Sequence, residues 1–453
     1  MKKYKINTYG CQMNVHESEK IAGLLEDMGY TAIQTDDDAD IIVFNTCCIR
    51  DTAERRAFGN IGVTKAVKKR NPDIVLAVVG CMPQQDGVAQ SIKEKYPYVD
   101  IVLGTRNISS LPNEITKVLE ARKNVKKRSD KKYRCFNCEQ PIDYLSIDEN
   151  MPTTRTSYPN AWVNIIYGCN NFCTYCIVPY VRGRELSRSM DSVLDEVKRC
   201  VDEGYREITL LGQNVNSYGN DIQDSNVNFA SLLREIDKIE GKFRVRFMTS
   251  HPKDLNDEII DAMAQSDKIC SNIHLPLQAG SNKVLKDMNR RYTREHYLEL
   301  IAKLRDKMPN IGITTDLMVG FPTETEEDFA DTMDIVNTVR YSNAFTFIYS
   351  PRKGTPASKM EQIPYAIKQE RIGRLIKLQN KITKEISEKY IGNVYEILCE
   401  DVAPKFDGMV CGRTDSGRLV TFEGTKDDIG KFIPVKITQS RSASLFGNRE
   451  VDQ

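Results

Sequence analysis

The sequence predicts an α/β protein made of two parallel-sheet units with a small all-β module behind them. Three observations point there. Residues 1–120 alternate short apolar runs with amphipathic stretches, the pattern of a doubly wound parallel sheet. Six further strand-like runs recur between residues 155 and 385 with helical segments between them, which suggests an open, partial (β/α)6 barrel. After residue 388 the pattern changes to short alternating runs broken by glycines, the mark of a small antiparallel barrel. A chain of 453 residues is too long for one core. The expected division is 1–120, a linker over 121–154, 155–385 and 388–451.

In the first unit, Lys5–Tyr9, Ile41–Phe44 and Ile74–Val79 read as strands, and Asn14–Met28 and Asp51–Lys69 as helices. Asn14 is placed as a helix cap, with Glu17 three residues on. The linker carries Arg122, Lys123, Lys126, Lys127, Arg128, Lys131, Lys132 and Arg134 against one acid, Asp130, and holds a CxxC, Cys135 and Cys138. A zinc ribbon needs a second such pair, so this one reads as a local feature. The six strands of the second unit are Ala161–Ile166, Glu207–Leu211, Arg244–Met248, Ser271–Pro276, Ile313–Val319 and Ala344–Tyr349. Thr323-Glu324-Thr325-Glu326 reads as a capping box with structural carboxylates. Residues 366–390 form a basic amphipathic helix, with Lys368, Arg371, Arg374, Lys377, Lys381 and Lys384 outward and Ile372, Leu375, Ile376 and Ile382 inward. Val394–Cys399, Met409–Arg413, Leu419–Phe422 and Phe432–Thr438 are the strands of the last module.

Composition excludes little. Lys+Arg is 64 and Asp+Glu 63, a net charge of +1, so global charge is silent on nucleic acid. No apolar run reaches the ~20 residues that span a bilayer, and the N-terminal stretch has no signal-peptide core, so a cytoplasmic protein is expected. Thirteen cysteines in such a protein point to metal or catalytic use rather than disulfides.

Two sets of cysteines carry the chemistry. Cys169, Cys173 and Cys176 form a CxxxCxxC loop directly after the strand Ala161–Ile166. Thiolates suit iron–sulfur clusters and zinc. The residues after Cys176 offer no fourth ligand, which leaves one iron of a four-iron cluster open. Cys11, Cys47 and Cys81 each lie just past the end of a predicted parallel strand, and such ends share one edge of a sheet. Three thiols there favour a second cluster, with Gly10 and Gly80 allowing close backbone approach. Cys48 is set aside as a spectator, because adjacent residues of an extended chain point oppositely. The four histidines show no metal spacing; His251, at a strand end, is the one weak site candidate.

The CxxxCxxC loop with Tyr175 before its last cysteine resembles the radical S-adenosylmethionine (SAM) enzymes. Together with Asn7-Thr8-Tyr9-Gly10-Cys11-Gln12-Met13-Asn14 and Asn45-Thr46-Cys47-Cys48-Ile49-Arg50, it resembles the methylthiotransferases of that group over nearly the whole chain. The resemblance implies a radical-SAM core, two [4Fe–4S] clusters, SAM as both methyl donor and radical source, and a C-terminal TRAM domain, an OB-like RNA-binding module. The tail's own charge, eight Lys/Arg against ten Asp/Glu from residue 390 to 453, does not argue for RNA. Tyr175, Gly212, Gln213, Asn214, Ser250 and Gln278 become SAM-contact candidates; Gly212-Gln213-Asn214 stands where many radical-SAM enzymes carry Gly-Gly-Glu.

Ile166-Tyr167-Gly168-Cys169 together with the run from Ile177 to Arg188 most resembles the branch that modifies carbon 2 of isopentenyladenosine at position 37 of tRNA. Arg182, Arg184 and Arg188 are placed as contacts to tRNA phosphates, and no side chain is assigned as catalytic acid or base. The resemblance further implies an electron donor such as flavodoxin or ferredoxin, iron–sulfur supply proteins as partners, and a monomer. The competing readings are methylthiolation of threonylcarbamoyladenosine or of a ribosomal-protein aspartate, and an RNA-binding protein with a structural metal.

Overall fold

The computed structural model describes residues 2–49, 51–123, 133–139 and 151–450. The chain forms two units, Met1–Thr156 with Cys176–Arg184, and Ser157–Tyr175 with Glu185–Gln453. No helix among the described residues is long and apolar enough to cross a membrane.

The first unit runs β1 (Lys2–Thr8), α1 (Gln12–Asp27), β2 (Tyr30–Ala32), β3 (Ile41–Thr46), α2 (Asp51–Arg70), β4 (Val75–Gly80), α3 (Val88–Lys95), β5 (Ile101–Leu103), α4 (Leu111–Lys123) and β6 (Cys135–Asn137), and includes the short helix α5 (Val178–Arg182). The sheet is parallel throughout, in the order β2-β1-β3-β4-β5-β6. β3 and β4 are buried on both faces, which is why they read as continuous apolar runs. Their residues alternate between two cores. Ile41, Val43, Val75 and Ala77 pack with α1 and α4 residues such as Leu25 and Ile115, whereas Ile42, Phe44, Leu76 and Val78 pack with Ala57, Ile61 and Ile92 of α2 and α3. Strand order reverses between β1 and β3, so the crevice for a ligand opens beyond their C-terminal ends.

Two expectations change here. Asn14 does not cap α1, which begins at Gln12 with Cys11 as its cap residue. Asn14 is fully buried inside the first turn, where its side-chain amide bonds Asn45 and the Thr46 carbonyl. The stretch read as a linker also contributes a strand: Cys135–Asn137 pairs with β5. Three residues are too short a run to carry a period. Lys126, Lys127, Arg128, Asp130, Lys131 and Lys132 lie outside the described residues.

The second unit begins with β7 (Asn160–Asn164), β8 (Ile166–Tyr167), β9 (Leu186–Ser187), α6 (Met190–Asp202), β10 (Glu207–Leu211), α7 (Phe229–Asp237), β11 (Arg244–Phe247) and α8 (Asp257–Gln265). It continues through β12 (Asn272–His274), α9 (Asn282–Asp287), α10 (Arg294–Lys307), β13 (Gly312–Val319), α11 (Glu326–Val339), β14 (Asn343–Ile348) and α12 (Tyr365–Glu388). Two parallel three-stranded sheets, β7-β10-β11 and β12-β13-β14, are joined by a bridge between Val245 and Ile269. Six strands therefore make an open barrel wall. The helices start where a Ser, Thr or Asn can accept the third backbone N–H: Ser189, Asn228, Asn256, Ser281, Thr293 and Thr325 all do so.

The capping box before α11 is Thr325 with Asp328, not Thr323 with Glu326. Glu324 is buried instead, accepting from the Gly320 N–H at 3.0 Å and from Arg371 at 2.7 Å. Arg371 and Lys368 thus face inward on α12 while Ile376 is exposed; the helical pattern does not show this, because Arg371 is buried by its ion pair with Glu324 and Lys368 lies over the Tyr349 ring.

The last module is a closed barrel, β15 (Val394–Val402), β16 (Met409–Arg413), β17 (Leu419–Glu423), β19 (Ser444–Arg449) and β18 (Phe432–Arg441), in the order β15-β16-β17-β19-β18. β19 escaped the sequence reading because Ser444-Leu445-Phe446-Gly447-Asn448-Arg449 has little apolar alternation. Two arginines of β11 clamp this barrel. Arg244 donates to the carbonyls of Arg413 and Glu396, and Arg246 to those of Thr414 and Asp415 while pairing with buried Glu207 at 2.8 Å.

Candidate functional site

Cys11 caps α1 after β1, Cys47 follows β3 and Cys81 follows β4, so the three stand at the C-terminal edge of adjacent strands around the topological switch. They are close enough to act on one another. Burial pushes the Cys47 thiol up to about 12, with further contributions from Cys81 and Cys11. Gly10 and Gly80 are where the backbone has no room to spare. A Cβ on Gly10 would fall 2.6 Å from the Cys47 Cβ, and one on Gly80 2.5 Å from the Thr46 carbonyl; both residues also take positive φ.

Cys48 lies beside Cys81. It is fully buried and its thiol hydrogen-bonds Cys81, which is the chief reason Cys81 is the more acidic of the two. Among the described residues no three His, Cys, Asp or Glu side chains converge tightly enough for a single metal ion. Three soft thiol donors at one sheet edge suit a cluster whose irons each take one thiolate.

In the second unit, Cys169 and Cys173 lie in the loop after β8, and Cys176 opens the segment that folds with the first unit. Burial raises the Cys169 thiol to about 11. Arg290, missed in the sequence because nothing local marks it, is buried here: its guanidinium donates to Cys173 Sγ at 3.6 Å, to the Tyr175 hydroxyl at 3.5 Å and to the Pro276 carbonyl at 2.6 Å. Five non-glycine residues with positive φ surround this edge: Phe172, Thr249, Gln278, Asn289 and Arg291. Strained backbone of this kind clusters at functional sites.

Polar atoms at the same strand ends lack protein partners. Both amide atoms of Asn164, at the end of β7, are buried without a hydrogen bond among the described residues. So are Asn214 Oδ1, Ser250 Oγ and His251 Nε2, and the other amide atom of Asn214 donates to Asp254 at 2.7 Å. The Lys253 N–H donates to His251 Nδ1 at 3.2 Å, which puts the ring proton on Nε2. Burial, then Arg290, Lys253 and Arg291, hold His251 well below its usual range and so neutral. Orphaned polar atoms in a buried ring suit a polar ligand with amino, carboxylate and ribose groups. Gln278 lines the same edge through its strained backbone, and Gly212 allows a tight turn, since a Cβ there would meet Ile166 at 2.5 Å.

Three family models match: the Radical SAM superfamily over residues 163–336, Uncharacterized protein family UPF0004 over 3–104, and the TRAM domain over 388–448. The chain is 49% identical to tRNA-2-methylthio-N(6)-dimethylallyladenosine synthase of Clostridium botulinum (strain Langeland), covering 98% of this chain and 96% of that one. It is 50% identical to the synthase of Carboxydothermus hydrogenoformans, covering 98% and 99%. The chain belongs to the tRNA-2-methylthio-N(6)-dimethylallyladenosine synthase family. Among solved structures, the radical S-adenosylmethionine methyltransferase TsrM of Kitasatospora setae aligns with TM-score 0.57 at 14% identity, over 79% of this chain and 74% of that one. The cobalamin-dependent radical enzyme OxsB aligns at 0.53 and 11% identity, over 84% and 56%. These likenesses are of fold.

For this synthase-family chain, two of the three RNA-contact arginines are placed elsewhere than expected. Arg188 is buried, pairs with Glu196 and donates to the Asn164 carbonyl at 2.8 Å and the Ser192 hydroxyl at 2.8 Å. Arg182 is 5% exposed and pairs with Glu17 at 2.7 Å inside the first unit. Neither presents its charge to a phosphate; only Arg184 is exposed. Cys135 and Cys138 do not form a pair either. Cys135 packs against one core of the sheet and Cys138, just past β6, against the other, and both thiols are free.

Proposed function

We propose that this protein methylthiolates carbon 2 of N(6)-isopentenyladenosine, the dimethylallyl-bearing adenosine of its relatives' name, at position 37 of tRNA. The observation that carries this reading is near-half identity to synthases of that name across 98% of the chain. Under this reading, residues 1–120 hold an auxiliary cluster through Cys11, Cys47 and Cys81. Residues 155–385 hold the SAM-cleaving cluster through Cys169, Cys173 and Cys176. Residues 388–451 bind tRNA. Cys169, Cys173 and Cys176 would hold a cluster able to supply one electron to SAM, and Cys11, Cys47 and Cys81 one able to supply sulfur.

The chain's own residues bind, orient and dry the site. Asn164, Asn214, Ser250 and His251 Nε2 offer hydrogen bonds to SAM from the strand ends, with Gly212, Gln213, Tyr175 and Gln278 beside them. Arg290 fixes Tyr175 and the Cys173 sulfur against the barrel edge. No general acid or base is needed, because the hydrogen at carbon 2 is not acidic and leaves as an atom. The target base must be splayed from the anticodon loop to reach the barrel edge. A one-electron donor of the flavodoxin or ferredoxin class, iron–sulfur supply proteins and a cytoplasmic setting complete the reading.

Nucleoside mass spectrometry of tRNA from cells lacking this chain tests it. Loss of the 2-methylthio mark on isopentenyladenosine is expected. An intact mark on that nucleoside, or loss confined to threonylcarbamoyladenosine, overturns it.

A further inference from the structure

Arg182 sits at the end of α5, in the segment that follows the CxxxCxxC loop, yet it is buried among the N-terminal cysteines. The segment is pinned there. Thr105 Oγ1 donates to the Val181 carbonyl at 3.0 Å, and the Arg106 guanidinium to the Arg182 carbonyl at 2.9 Å. Gly183 turns at φ +80°, and a Cβ on it would lie 2.5 Å from Arg106. Ile177 and Val181 pack directly with Cys48 and Cys81 in one apolar cluster. Into this dry cluster the chain inserts a full positive charge, matched by the Glu17 carboxylate at 2.7 Å.

A buried ion pair is a costly way to fill space, since desolvation of both charges offsets their attraction. The pair is also incompletely satisfied within the protein. Arg182 Nε and Glu17 Oε2 are buried with no hydrogen-bond partner among the described residues. The Arg182 charge acts on Cys81 and Cys11 directly, and also on Cys47 and Cys48. Packing alone explains none of these features. A cluster bound by three thiolates is a net anion in a low-dielectric pocket, where one fixed cation has a large effect.

We propose that Arg182, oriented by Glu17, is the positioning residue and buried counter-charge of the cluster held by Cys11, Cys47 and Cys81. Its guanidinium offsets the thiolate charge, donates toward the cluster's sulfur shell and raises the cluster's reduction potential. Outer-shell groups of this kind orient ligands and tune metal sites. The inference rests on the auxiliary cluster of the proposed function.

The test uses full-length protein in which Cys169, Cys173 and Cys176 are alanine, so that only the auxiliary cluster is observed. After anaerobic reconstitution, iron is counted and the potential measured by a redox titration followed by electron paramagnetic resonance. Arg182→Gln is expected to shift the potential to more negative values, and Glu17→Gln, which leaves the cation uncompensated, to more positive values. Arg182→Lys retains the charge and is expected to fall between Arg182→Gln and the parent. A role in folding alone does not produce shifts of opposite sign. If Arg182→Gln takes up no iron, Glu17→Gln and Arg182→Lys still decide the sign. Unchanged potentials, or shifts of one sign in both single variants, overturn the inference while leaving the cluster in place. A parent that binds no iron removes the auxiliary cluster itself.

Discussion

The clamp between the barrel and the C-terminal module is the most quantitative element of the structure. Arg246→Met removes a cation that pairs with Glu207 at 2.8 Å and donates to the Thr414 and Asp415 carbonyls at 2.7 and 2.9 Å. Glu207 is 3% exposed, so its carboxylate is left buried and unpaired. Breaking a buried pair from one side costs about 3–5 kcal/mol, and two carbonyls that lose their donors add about 1 kcal/mol each where water cannot replace them. Relaxation at the edge of the interface returns part of this, so a loss of about 4 kcal/mol is expected, a large share of a typical ~5–15 kcal/mol. Urea unfolding of the parent, Arg246→Met, Glu207→Gln and the double variant reads it. The double variant should be more stable than Arg246→Met by about 2 kcal/mol, because the stranded charge is gone. The same variant should bind tRNA more weakly while still cleaving SAM. A single-variant loss under about 1 kcal/mol, or an additive cycle, would refute the reasoning.

Ser250→Ala removes a hydroxyl that has no partner among the described residues, so unfolding should shift by less than about 0.5 kcal/mol while SAM affinity falls about fivefold in equilibrium dialysis. Gly10→Ala should cut auxiliary-cluster iron by more than half, because its Cβ collides with Asn14 and Cys47 at 2.5 and 2.6 Å; full loading would show that the loop yields. His251 stays neutral in the folded protein and is protonated below about pH 6.5 when unfolded. The stability it contributes is therefore present above that pH and lost as pH falls, by at most about 1.4 kcal/mol per unit. His251→Gln should flatten the decline between pH 6.5 and 5, measured as urea midpoints.

The cysteine edge of the first sheet was legible because β3 and β4 are apolar runs each followed at once by a cysteine, and β1 is followed by one three residues on. Strand ends of a parallel sheet converge whatever the loops do. The barrel was legible for the same reason. What sequence could not give was the direction of charge. Arg182, Arg188, Arg371 and Lys368 look like surface cations, yet each is buried, and three of them by an acid eight or more residues away in sequence. Hydropathy cannot anticipate pairing across elements. Arg290 stayed hidden likewise, since its partners Cys173, Tyr175 and Pro276 come from two other loops.

The central claim is that sulfur reaches the tRNA base through the thiols at the N-terminal sheet edge. Its most direct test is nucleoside mass spectrometry of tRNA from cells whose sole copy has Cys11, Cys47 and Cys81 changed to alanine. The account predicts unmodified isopentenyladenosine in place of its 2-methylthio form, from a protein that still cleaves SAM. A methylthio mark retained at parental level would contradict it.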